Sequence, residues 1–283
     1  MRPTLFSVNL FGIPLEFHAY TVFLTTAFVL ATVLAVRDNY RRPQPYPVTT
    51  VGGIWVFVGA LIGARLYWTL QYASWREIPR ALFFWEGGLV FYGGVIGGTL
   101  AAIAYLKYCG VPFRPMADIA VPYVPLAHAL ARIGCFLNGC CYGAPTQMFF
   151  GVTYPPDSLP AEQYASTPLH PVQLYESAGL LIIFGLLYFL RHRWDGTGAT
   201  LWLYLTLYGV LRFFTEVVRG DVPHDLWGMT VSQVVALGLF LGGGMAYMFT
   251  LRAQRHHVAG TFDASREISP KDRTDSEMAM PRK

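Results

Sequence analysis

Apolar residues run along this chain in blocks of about twenty, rather than in the narrow stripes that recur every three or four residues on a soluble amphipathic helix. A bilayer core of about 30 Å takes about 20 such residues per helix. Seven segments meet that length, at 18–37, 50–72, 88–108, 115–136, 171–190, 199–218 and 229–251. The pattern predicts an all-α polytopic membrane protein with about seven transmembrane helices. The first block lacks a small-residue cleavage pattern after it and reads as a permanent helix. The second carries Gly52, Gly53, Gly59 and Gly63, and the third Gly93, Gly94, Gly97 and Gly98, so both are expected to pack backbone to backbone as interior helices. The connection 138–170 holds Tyr142, Phe149, Phe150, Tyr154 and Tyr164 among prolines, which predicts a small, ordered, aromatic-rich cap rather than a linker. Residues 1–251 therefore form one seven-helix body. The stretch 252–283, with no apolar period, is expected to be a disordered tail.

Composition supports lipid as the solvent: 54% of the 283 residues are hydrophobic and only 13% charged, against roughly 25% charged in soluble domains. Basic residues near helix ends give an orientation. Arg37, Arg41 and Arg42, then Lys107 and Arg114, then Arg191 and Arg193 mark three cytoplasmic loops, whereas 138–170 contains no Lys or Arg. The other side has Arg2, Arg76, Arg80 and Arg219. The N-terminus is thus expected outside and the C-terminus in the cytoplasm. There is no phosphate loop, dinucleotide fingerprint or nucleophile elbow, and no basic groove for nucleic acid.

Three arginines, Arg65, Arg132 and Arg212, lie within or at the edge of apolar blocks, where an unpaired charge costs at least ~2.5 kcal/mol. Arg65 reads equally as a functional residue and as a structural one that snorkels to the interface or ties two helices together. His128 precedes Arg132 by one turn on the same face, and Gly134, Asn138, Gly139 and Gly143 follow it. Broken helix and guanidinium together suggest a cradle of backbone N–H groups for an anion, with a lipid phosphate as the anion at that depth. Tyr208, Arg212 and Glu216 recur every four residues and form one polar stripe that must face the bundle interior. At the start of the fifth block, His170 stands near a helix cap, while Gln173 and Glu176 can bind a head group or brace an arginine. Cys135, Cys140 and Cys141 crowd one turn; their spacing lacks a separated CxxC partner and reads as packing, with no essential metal.

Four blocks resemble the prolipoprotein diacylglyceryl transferase family: Glu86-Gly-Gly-Leu-Val-Phe-Tyr92-Gly-Gly, Ala117-Asp118 through Arg132-Ile-Gly-Cys-Phe-Leu-Asn138-Gly, His170-Pro-Val-Gln-Leu-Tyr-Glu176, and Tyr208-Gly-Val-Leu-Arg212-Phe-Phe-Thr-Glu216. With His18-Ala-Tyr20 they span nearly the whole membrane part, in the family's order. The resemblance implies a multi-pass enzyme of the bacterial inner membrane. Its reaction moves the sn-1,2-diacylglyceryl group of phosphatidylglycerol onto the lipobox cysteine thiol of a prolipoprotein signal peptide, giving a thioether and glycerol phosphate without a cofactor. Membrane lipids would surround it.

By the same resemblance, Arg132 and Arg212 match the family's essential arginines. Tyr20, Asn138, Gly143, Tyr208 and Glu216 match other functional positions, and Asp118 matches a family acid. Tyr92 stands where some members carry a proposed catalytic histidine. Cys135 replaces the usual asparagine and Cys140 the usual glutamate. Two other readings stay open: a lipid-binding or transport protein, which would be expected to show paired halves that this sequence lacks, and a paralogue that transfers the lipid group to another nucleophile.

Overall fold

The computed structural model describes residues 4–10, 13–72, 90–221 and 228–267. A helix stands at each of the seven expected positions, and the body is all-α. The helices are α1 (Ala19–Tyr40), α2 (Thr50–Tyr72), α3 (Phe91–Tyr108), α4 (Phe113–Ala120), α5 (Val124–Asn138), the short α6 (Leu159–Tyr164), α7 (Val172–Leu190), α8 (Ala199–Val217) and α9 (Val231–Glu267). Five stretches are long and apolar enough to cross a membrane: Ala19–Tyr40, Thr50–Gln71, Phe113–Asn138, Val172–Leu190 and Val231–Arg255. Helix α3 has four glycines, three tyrosines and a lysine in 18 residues, and α8 carries Arg212 and Glu216; these dilute the apolar character of the remaining two.

Three expectations need correction. The segment 115–136 is not one helix: Pro122 and Pro125, which lack an N–H, divide it into α4, a 3-10 turn at Val121–Tyr123, and α5. The tail is helical as far as Glu267, because α9 runs on past 251. Ahead of the bundle stands an antiparallel hairpin of β1 (Thr4–Leu10) and β2 (Ile13–His18), which the apolar blocks do not mark. Arg2, Arg76, Arg80, the 86–89 part of the first matching block, the 88–89 start of the third segment and residues 268–283 lie outside the described residues.

The glycine-rich helices do pack backbone to backbone, but on each other. A Cβ on Gly63 would strike the backbone of Gly93 and Gly97, and one on Gly59 would strike Ala101 and the Gly97 carbonyl. The other faces of the pair, with Ile54, Trp55, Ile62, Leu66, Val95 and Leu100, are exposed and suited to lipid. They are therefore not interior helices: Gly59 and Gly63 of α2 and Gly93 and Gly97 of α3 open a seam that each helix uses for the other, while Gly53 meets Thr32 of α1. The interior is built by α5, α7 and α8, with α1 against α5 and α9 against α8. Gly134 lets α5 approach Tyr20 and Phe23 of α1, and Gly209 lets α8 approach Ala236 and Phe240 of α9.

The two ends of the bundle differ. At one end Asp38 of α1 contacts Arg42 and Arg191, and Arg42 reaches Asp195 at 2.9 Å. Asp118 of α4 lies in the same region, accepting hydrogen bonds from the N–H groups of Gly198 (2.7 Å) and Thr200 (3.1 Å), two donors that the start of α8 leaves unsatisfied. At the other end, residues 139–171 form an ordered cap whose core is Tyr142, Tyr154 and Leu169, with Val152 and Tyr164 packed on it. Backbone bridges pair Pro145 and Val152 with Leu169, and Gly143 with Arg219.

Candidate active site

Where α5, α7 and α8 meet the cap, alternating charges form a continuous chain. Arg132 Nη2 lies 3.0 Å from Glu176 Oε1, and Arg212 Nη1 lies 3.1 Å from Glu176 Oε2. Arg212 Nη2 is 2.7 Å from Glu216 Oε2, which also takes Arg219 Nη1 at 3.3 Å. Arg219 then grips Asp221 through two bonds of 2.8 and 2.9 Å. Burial disfavours the charge on Arg219, but its hydrogen bonds to Asp221 and the fields of Asp221 and Glu216 outweigh this and raise its pKa. Glu216 and Glu176 are almost fully inaccessible, and guanidinium groups and the Thr230 hydroxyl (3.0 Å to Glu216) supply the partners that buried carboxyl groups require.

The helical period explains the local arrangement. Spacing of four puts Arg212 and Glu216 on one face of α8, and Arg219 continues that face just beyond the helix end. His128 and Arg132, also four apart, both point at Glu176 Oε1, at 3.7 and 3.0 Å. Among the described residues, Arg132 Nε is buried with no hydrogen-bond partner. Aromatic rings close the other side. Tyr208 lies 5.3 Å from the His128 ring, Phe91 stacks 6.0 Å from His128, and Tyr92 is within electrostatic reach of Tyr208. Tyr20 is likewise within reach of Arg132 and the three cysteines.

Of the residues singled out from sequence, Arg132, Arg212, Glu176, Glu216 and Tyr208 come together directly, with Tyr92 and Tyr20 at the margin. Asn138 is exposed at the end of α5, beside the turn in which the Cys140 thiol donates to the Cys135 carbonyl at 3.7 Å. Gly143 stands where a Cβ would strike His170 and Val172. The expected cradle of free backbone donors is absent among these residues. The Gly139, Cys140 and Gly143 N–H groups are taken by the carbonyls of Phe136, Cys135 and His170. Gly139, at φ 76°, is a left-handed helix stop. Any anion here would meet side chains.

Three expected residues fall elsewhere. Asp118 caps α8 at the far end, about 18 Å from Arg212 at 1.5 Å per residue over the intervening twelve. His170 pairs through Nδ1 with the Tyr175 hydroxyl at 3.1 Å and does not join the charge chain. Gln173 ties α7 to the cap, donating to the Cys140 carbonyl (2.7 Å) and to the Tyr154 hydroxyl (3.0 Å). Burial holds Tyr154 protonated, its pKa pushed up to about 12. Arg65 is buried in α2 and lies over the Trp68 ring.

Sequence reasoning passed over Arg219 as one more loop charge, although its spacing of three from Glu216 was a signal. The three cysteines that crowd one turn of the sequence also come together in space. The Sγ atoms of Cys135, Cys140 and Cys141 lie within 4.8 Å of one another, because the turn folds the Cys-Cys pair back beneath Cys135.

A model of the prolipoprotein diacylglyceryl transferase family matches residues 8–249. A phosphatidylglycerol–prolipoprotein diacylglyceryl transferase of Nostoc is 31% identical over 246 residues, covering 83% of this chain and 87% of that protein. The enzyme of the same description from Lactiplantibacillus plantarum is 34% identical over 236 residues, covering 81% and 83%. That from Symbiobacterium thermophilum is 34% identical over 243 residues, covering 84% and 90%.

Proposed function

The chain belongs to the prolipoprotein diacylglyceryl transferase family, and from that membership we propose how its own residues carry the reaction. It is a multi-pass membrane transferase that uses phosphatidylglycerol as donor and a prolipoprotein as acceptor. In our reading the acceptor is the lipobox cysteine of the signal peptide. Its sulfur forms a bond to the glyceryl carbon as the carbon–oxygen bond to phosphate breaks, and glycerol phosphate leaves with the electron pair. The thiol proton passes to a base or to water.

The observation that carries this reading is the sharing of Glu176 by Arg132 and Arg212. Two guanidinium groups from different helices are held side by side in a water-poor bundle. Fixed positive charge in such a place stabilises negative charge as it develops on a leaving phosphate and needs no reorganisation at that moment. Arg132 brings an unsatisfied Nε and Arg212 a planar fork, both suited to phosphate oxygens. Glu216 and Glu176 hold the forks in place. Tyr208 and Tyr20 line the lipid head group, and Asn138 and Gly143 shape the turn beside it. Tyr92 is our candidate for handling the thiol proton. Gln173 and His170 act through the cap, and Asp118 through the stability of α8.

We further place the cap and N-terminus outside and the C-terminal side in the cytoplasm, with the seven-helix body 1–251 as the catalytic unit. The clustering of Arg42 and Arg191 at the end opposite the cap supports this orientation. The reaction is tested by incubating purified protein with phosphatidylglycerol and a lipobox peptide. The expected result is a peptide heavier by one diacylglyceryl group, and none when serine replaces the lipobox cysteine. An unmodified peptide with well-folded protein would reject the reading.

A further inference from the structure

We propose that Cys135, Cys140 and Cys141 form a binding site for a thiophilic d10 cation, represented by zinc, whose fourth position is open to an incoming thiol. Three sulfurs within 4.8 Å of one another can surround one ion. With zinc–sulfur bonds of about 2.3 Å, a tetrahedral ion sets its sulfurs roughly 3.8 Å apart, so small side-chain rotations close the set. All three cysteines are free thiols. An all-sulfur donor set selects a soft or borderline cation and disfavours magnesium or calcium.

The turn is shaped to this end. Cys135 lies on the last turn of α5 and Gly139 ends the helix in the left-handed region. Cys141 itself stands at φ 63°, a conformation that residues with a Cβ rarely adopt. Two further observations point to a ligand. A cleft of about 450 Å³, lined by Leu159, Tyr142, Glu162, Gln163 and Asp221, includes Cys140 and Cys141 in its wall. Arg132 and Arg219, although paired with carboxylates, lie within electrostatic reach of Cys141, and Arg132 of Cys135, and their fields oppose the net negative charge of a divalent ion on three thiolates. Three protein ligands with one position left over is the arrangement of a site that exchanges a ligand rather than a closed structural one.

The use of that fourth position rests on the transferase reading. An acceptor thiol that binds the cation does so as thiolate, its proton passing to solvent, and it is then held beside Arg132 where phosphate departs. Cation binding itself does not depend on that reading.

The experiment uses the full chain, purified in detergent under reductant, stripped with a chelator and titrated with cobalt(II). One cobalt per chain is expected, with thiolate-to-cobalt charge-transfer absorption and tetrahedral d–d bands, both displaced by zinc. Cys135→Ser, Cys140→Ser and Cys141→Ser should each abolish that spectrum, and Cys109→Ser should leave it intact. As a check that needs no variant, zinc should protect three cysteines of the unaltered protein from iodoacetamide and leave Cys109 reactive. Less than about a tenth of an equivalent of cobalt, an unchanged spectrum in all three variants, or a disulfide between two of the three in the purified protein would overturn the proposal. A lipobox peptide should shift the d–d bands and its serine analogue should not; a normal cobalt site unmoved by the peptide rejects the open-position role. Absent lipid transfer with an intact peptide-responsive site would count against the reaction and leave the cation site standing.

Discussion

Arg212 of α8 binds Glu176 of α7 through Nη1 and Oε2 at 3.1 Å, and the other oxygen of the same carboxylate faces Arg132 of α5 at 3.0 Å. One glutamate thus sets the spacing of two guanidinium groups that sequence alone assigns to separate motifs. Removing one partner of a buried pair leaves charge uncompensated, at about 3–5 kcal/mol. Glu176→Gln is therefore expected to lower the thermal midpoint and to reduce lipid transfer severely. Transfer at the wild-type rate by Glu176→Gln protein would show that the arginines need no such spacer.

Arg212→Gln is expected to lose transfer by about 10²-fold or more, as removal of a preorganised donor does elsewhere. Arg212→Lys should recover only part of it, because the ammonium keeps the charge but not the fork. Arg212 has two carboxylate partners, and Glu216 also serves Arg219 and Thr230. Neutralising Arg212 and Glu216 together would thus also take a partner from Arg219, which keeps Asp221, and from Thr230, and it does not isolate the pair as the spacing of four suggests. The useful measurement is the transfer rate of each single variant at matched thermal stability. Equal rates for Lys and Arg would reject two-point phosphate binding.

Asp118 makes a contrasting case. Its two oxygens satisfy the Gly198 and Thr200 N–H groups, so Asp118→Ala should destabilise the protein by about 1–3 kcal/mol. Below its lowered midpoint the variant should keep the wild-type KM for phosphatidylglycerol. A raised KM in folded protein would instead return Asp118 to the substrate site.

For the α2–α3 seam, Gly63→Leu is expected to unfold or separate the pair, since a side chain there meets the Gly93 and Gly97 backbone. Gly185→Ala, with open space around its Cβ direction, is the control and should be neutral within about 0.5 kcal/mol. Similar melting of the two variants would disprove the seam.

Orientation is read by a cysteine at Ser166, an exposed cap position. In intact cells Ser166→Cys should react with a membrane-impermeant maleimide added outside, with the other cysteines replaced by serine. Reaction only after the cytoplasmic face is opened would invert the topology.

The chain by itself determined the helices. Apolar runs long enough to cross hydrocarbon leave the backbone no partner but itself, so these segments become helical wherever they pack. It also determined the stripe of Tyr208, Arg212 and Glu216, because a period of four is local geometry, and the need of Arg132 and Arg212 for partners, because an unpaired charge is costly there. Which partners they take was settled only in three dimensions. Glu176 lies 36 residues from Arg212, and no local rule relates their helices. The same holds for the α2–α3 seam, where a glycine face states that something approaches and not what. It holds for Asp118 as well, whose carboxylate is a cap only because the start of α8 comes to rest against it 80 residues later. The three thiols meet because Gly139 and Cys141 take left-handed conformations, and that reversal depends on the cap docking against α7 and Arg219. Periodicity fixes which face a side chain occupies; the packing of distant helices fixes what that face finds.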